Sequence, residues 1–166
     1  MGKITIPWIP IIFTVTPIIG GLIGGIFVRK NIRWYETLNL PYWRPPSYLF
    51  APVWTTLYLA MGYASYLIYR SAGGFSGEAK IPLALYASQL VLNWDWPPLF
   101  FGLHKLKWGL VEICVLWINI ASCIVTFYKI NKVASYLMIP YLGWVSYATA
   151  LTYYIYKNNP EISDKS

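Results

Sequence analysis

Polar positions along the 166 residues are gathered into short stretches, at 29–46, 70–80, 104–107 and 129–132, with long apolar runs between them. The runs lack the alternation of a half-buried strand and the polar/apolar spacing of an amphipathic helix. A helix needs about 20 predominantly apolar residues to cross the hydrocarbon core of a bilayer. Five runs meet that requirement, at 5–28, 47–69, 81–103, 108–128 and 134–156; the third encloses Asp95 and the fourth Glu112. The pattern predicts an all-α chain forming one integral membrane bundle of five transmembrane helices over 1–166, with no soluble domain beside it.

Composition agrees with the pattern. The chain is 57% hydrophobic and 19% aromatic, and its 11% of charged residues lies well below the roughly 25% of soluble domains. The stretch RSAGGFSGEAK (70–80) is rich in glycine and serine, whereas HKLK (104–107) and KINK (129–132) are short enough to join antiparallel neighbours. Trp8, Trp43, Tyr48, Trp108, Tyr128 and Tyr156 fall near span ends, where aromatic rings favour the headgroup zone.

Charge gives an orientation. Arg29, Lys30, Arg33, Arg44, Lys105, Lys107, Lys157 and Lys165 lie on the side of the first loop and the C-terminus, against Lys3, Arg70, Lys80, Lys129 and Lys132 on the other. The excess of bases predicts that the first loop and C-terminus face the cytosol. The net charge of +7 is spread over loops, which suits anionic membrane lipid and excludes nucleic acid as a partner. The N-terminus has no cleavable secretory or transit pattern. MGKITI has Ile6 where a myristoylation signal needs Ser or Thr, and EISDKS is no retention signal.

Candidate chemistry is sparse. Cys114 and Cys123 are nine residues apart, about 180° around a helix, so they cannot bridge each other. With His104 alone in a basic turn, no zinc set, paired carboxylates, phosphate loop or nucleophile triad is visible. The sequence therefore predicts neither an enzyme nor a cofactor. In the first span, Gly20 with Gly24 and Gly21 with Gly25 form two overlapping GxxxG patterns, suited to close helix packing within the chain or to a homodimer face. In the third span Asn93 and Trp96 share a face, Trp94 and Asp95 turn away from it, and Pro97 should bend the helix. Asp95 is expected either hydrated near the headgroup zone or paired with Lys105, Lys107 or Arg33; Glu112 is expected to complement the dipole of its helix. Large rings recur at helical spacing: Trp54, Tyr58, Met61 and Ser65 in the second span, Trp108, Val111 and Val115 in the fourth, Trp144, Ala148 and Leu151 in the fifth. Facing one another, such stripes would wall a flat apolar cavity; ordinary ring packing gives the same spacing.

RWYETLNLPYWRPP (33–46) resembles the first loop of the translocator protein family, also called the tryptophan-rich sensory proteins or peripheral benzodiazepine receptors. The resemblance continues through PVWTTLYLAMGYASYL (52–67), LNWDWPPLFFG (92–102) and PYLGW (140–144), and it is similar to the animal members in particular. It implies a five-helix protein of the mitochondrial outer membrane that binds cholesterol, porphyrins such as protoporphyrin IX, and benzodiazepine-site ligands, with a role in cholesterol transport. The implied cavity is lined by Gly25, Val28, Phe50, Ala51, Val53, Trp54, Asn93, Trp96, Trp108, Val111, Val115, Trp144, Ala148 and Leu151, with the first loop as lid. A cholesterol motif maps to Leu151, Tyr153 and Lys157. Asp95 departs from the family, which usually has a neutral residue there. The bacterial members suggest a second reading, light-dependent breakdown of bound porphyrin with Trp54 and Trp144 as electron donors. A channel is disfavoured, because the spans lack a line of charged or carbonyl-exposing positions.

Overall fold

The computed structural model describes residues 7–160; Lys3, the first two positions of the first predicted span, MGKITI and EISDKS with Lys165 lie outside the described residues. Five long helices account for most of it: α1 (Trp8–Glu36), α2 (Phe50–Ser71), α3 (Lys80–Pro97), α4 (Leu106–Ile130) and α5 (Lys132–Asn158). The apolar runs located the helices, while several ends differ from the predicted limits. At 29 residues α1 is about 43 Å long at 1.5 Å per residue, more than a hydrocarbon core of about 30 Å. Its last turns, which carry RKNIRWYE, therefore extend past the core. The KINK turn shrinks to one extended residue, Asn131, whose side chain caps α5 by accepting from the Ala134 N–H at 3.1 Å.

Helices α1 and α4 are the most apolar, with windows of mean hydropathy 2.2 and 2.1. The others carry polar residues that are buried inside the bundle, among them Ser65 on α2, Gln89 and Asn93 on α3, and Ser135 and Thr152 on α5. Hydroxyls placed elsewhere bond back to their own helix, as Thr55 does to the Ala51 carbonyl and Thr149 to that of Val145. Lipid offers no such partners, so these hydroxyls find theirs within the chain.

Around the bundle the neighbours run α1, α2, α5, α4, α3 and back to α1. Three of the four glycines in the α1 patterns pack inside the chain. A Cβ on Gly20 would run into the Trp94 indole, and one on Gly21 into the Tyr58 ring. A Cβ on Gly24 would stand 3.0 Å from Pro97, whereas Gly25 faces open space. Trp94 is thus turned towards α1. Gly62 of α2 meets the α1 backbone directly: a Cβ there would be 2.6 Å from the Phe13 carbonyl oxygen.

At Pro97 the α3 helix passes into a π-helical turn, Pro98–Gly102, closed by the Leu103 N–H to the Pro98 carbonyl at 2.9 Å. Pro97, where the bend is expected, is the last residue of α3 before this turn. His104 follows with a left-handed φ of 56°. It is held by stacking on Trp34, ring centroids 3.8 Å apart, and by a contact of 3.2 Å between its Nε2 and the Asn31 Oδ1. Asp95 is exposed and, among the described residues, forms none of the expected ion pairs with Lys105, Lys107 or Arg33. Glu112 is not in the first turn of α4. It is half-buried, with Oε2 lacking a hydrogen-bond partner, and the expected dipole role does not apply.

A candidate ligand site between α2 and α5

Two buried clusters set the frame. The larger runs through the middle of the bundle and includes Leu57, Tyr58, Met61, Leu90, Ile113, Leu116, Tyr141 and Val145. The smaller lies at the end carrying the first loop, where Tyr35 and Leu38 pack with Phe100, Phe101, Leu106, Leu151 and Ile155.

Inside the larger cluster, four polar side chains from three helices form one chain of hydrogen bonds. The Tyr58 hydroxyl donates to Asn93 Oδ1 at 3.0 Å, Asn93 Nδ2 donates to the Tyr141 oxygen at 2.9 Å, and Tyr141 donates to Gln89 Oε1 at 2.9 Å. Both Asn93 amide atoms are thus occupied, and Asn93 is 4% exposed. In hydrocarbon an unpartnered amide costs several kcal/mol, which fixes these rotamers together. Asn93 therefore forms a floor rather than an open wall.

Above that floor, rings continue between α2 and α5 as far as the first loop. Trp54 stacks on Tyr58 at 5.5 Å and meets Tyr141 edge-on at 6.3 Å. Phe50 of α2 meets Trp144 of α5 at 6.2 Å, Trp144 meets Tyr147 at 5.7 Å, and Tyr147 meets Trp43 of the loop at 5.6 Å. The Tyr147 hydroxyl donates to the Trp43 carbonyl at 2.6 Å, tying the loop to this row. Phe50, Val53, Trp54, Trp144 and Ala148 are all half-buried, so their faces remain partly accessible, and Leu151 is buried at the loop end. Apolar rings with one accessible face and a fixed polar floor can accept a flat, largely apolar molecule.

Other residues expected at the site stand elsewhere. Trp96 is half-buried on the α3–α4 side, stacked on Phe100 at 4.8 Å, with its indole N–H donating to the Gly109 carbonyl at 3.0 Å. Trp108, Val111 and Val115 are 55%, 46% and 47% exposed, on the side of α4 roughly opposite Ile113, Leu116 and Ile120. The α4 stripe is therefore not turned towards Trp54 and Trp144. Ala51 is exposed, Gly25 has open space before it, and Val28 packs against the loop-end cluster. The cholesterol-motif trio is divided: Tyr153 and Lys157 share an exposed face, while Leu151 points inward, 7% exposed.

The TspO/MBR family model matches residues 13–157, nearly the whole chain. The chain belongs to the TspO/MBR family. Among relatives of this TspO/MBR protein, Translocator protein of Bos taurus is 44% identical over 155 residues, 92% of each chain. Translocator protein of Homo sapiens is 43% identical over the same share. Tryptophan-rich protein TspO of Chlorobaculum tepidum is 41% identical over 141 residues, 84% of this chain and 89% of that one.

Sequence reasoning missed Gln89, Tyr141 and Tyr147. A signal for the first existed: Gln89 and Asn93 are two amides at i and i+4 within an apolar span. Tyr141 and Tyr147 flank Trp144 at spacings that by themselves say only that they lie on α5.

Proposed function

We propose that this membrane protein binds cholesterol, porphyrins and benzodiazepine-site ligands in the crevice between α2 and α5, beneath the first loop. The carrying observation is the continuous row Phe50, Trp144, Tyr147 and Trp43, which joins two helices and the loop through rings that keep accessible faces. Family membership supports the reading, and the name Translocator protein carried by the bovine and human relatives supports a role in moving a ligand. The protein resides in the mitochondrial outer membrane, with the loop end and C-terminus towards the cytosol. The larger count of Lys and Arg at that end supports this orientation. Phe50, Val53, Trp54, Trp144 and Ala148 line the site, and the exposed pair Tyr153 and Lys157 offers a separate sterol contact to the bilayer.

The test is protoporphyrin IX binding to the full chain in detergent, read as saturable quenching of tryptophan fluorescence in the dark. Trp144→Ala should weaken binding by about tenfold, the loss of roughly 1.4 kcal/mol of ring contact. Trp108→Ala should bind as the unaltered protein does. Equal loss in both variants, or none in Trp144→Ala, would remove the crevice as the site. Porphyrin loss confined to illuminated samples would instead support light-driven breakdown.

A further inference from the structure

Outside the aromatic crevice, the first loop and the last turns of α5 border a wide, largely open cavity of about 590 Å³, on whose rim Glu36, Asn39, Tyr42, Arg44 and Asn158 are all exposed. Its walls include Glu36, Asn39, Tyr42, Arg44, Tyr154 and Asn158. Its position is fixed by two bonds that Asn39 donates, its N–H to Asn159 Oδ1 at 2.9 Å and its Nδ2 to the Asn158 carbonyl at 2.9 Å. Leu38 and Pro41 of the same loop are buried, so the loop is seated rather than draped.

The charges in this cavity are unspent. Glu36 and Arg44 line it together, yet neither forms an ion pair among the described residues. A guanidinium suits a phosphate, and a carboxylate with phenol rings suits an ammonium. A purely anionic ligand would meet Glu36, and a purely cationic one Arg44. Helices α1 and α5, of 29 and 27 residues, run about 43 and 40 Å, past a core of about 30 Å, which puts their loop-end turns at headgroup depth.

We propose that this cavity binds a zwitterionic phosphoethanolamine group. Arg44 holds the phosphate, Glu36 with the rings of Tyr42 and Tyr154 holds the ammonium, and the Asn39 and Asn158 amides lie beside them. The same group is found on a membrane lipid and on soluble phosphodiesters, and the test separates the two sources.

The probes are dihexanoylphosphatidylethanolamine, dihexanoylphosphatidylglycerol and glycerophosphoethanolamine, each titrated into the full chain in a neutral detergent. The readout is the side-chain amide NMR signals of Asn39 and Asn158. The ethanolamine lipid should shift both signals saturably, with about tenfold tighter binding than the glycerol lipid. Glu36→Gln should abolish that preference, and Arg44→Gln should weaken both lipids by about tenfold. Protoporphyrin IX binding should be unchanged in both variants, which keeps this site distinct from the crevice. Glycerophosphoethanolamine matching the lipid would identify a soluble ligand, and binding of acylated probes alone would identify a bilayer lipid; either supports the assignment. Signals that do not move, equal affinity for the two headgroups, or variants that bind like the unaltered protein would overturn it.

Discussion

Asn93 illustrates what lipid demands of a polar side chain. Its carbonyl accepts from Tyr58 and its amide donates to Tyr141, which in turn donates to Gln89. Asn93→Leu leaves the Tyr58 hydroxyl, itself buried, without its acceptor. Thermal unfolding in detergent should show a loss of about 1–3 kcal/mol. Tyr58→Phe removes a single bond and should cost less, about 1 kcal/mol. Asn93 was conspicuous in the sequence because an amide in an apolar span needs a partner. Its partners were not legible, since Tyr58 and Tyr141 are 35 and 48 residues away and come together only when three helices pack. The exposed position of Trp108 was not legible for a related reason: spacing shows which residues share a stripe, but not which side of the helix the neighbours occupy.

The helices show the same division between what is local and what is assembled. Apolar runs located all five, because length and hydrophobicity are properties of a segment. Their ends were less legible, because a helix can continue into water through RKNIRWYE, and a turn can contract to Asn131 once its side chain caps the next helix. The glycines make a sharper test of packing. Gly62→Ala forces a methyl group against the Phe13 carbonyl and the Thr14 backbone, neither of which can rotate aside. It should destabilise the protein by about 1–3 kcal/mol in a denaturant titration. Gly25→Ala meets nothing within 4 Å and should be neutral, or slightly stabilising through helix propensity. Equal effects of the two would mean that α1 does not lie against α2 as described.

For the molecule as a whole, the first loop and the last helix act as one closure. Asn159 accepts from the Asn39 N–H, returns a bond to the Asn39 carbonyl at 3.4 Å and holds the Ile155 carbonyl at 2.8 Å. Asn159→Ala should free the loop, seen as faster limited proteolysis between 37 and 46 and, on the proposed function, faster release of porphyrin, with little change in the unfolding midpoint. The family resemblance implied that the loop is a lid, yet its fastening 120 residues away could not be read from either end. The ring order was equally hidden, because connection lengths fix which helices are joined and not which helix comes to lie between two others. That order has a consequence for how the chain is made. Helix α5, the last of the five to be synthesised, seats between α2 and α4 and brings Tyr141 to Asn93 and Gln89. Until it arrives, the nascent chain holds two amides in the bilayer without their shared hydroxyl, so an interrupted product carries its own mark of incompleteness for whatever inspects unfinished membrane proteins.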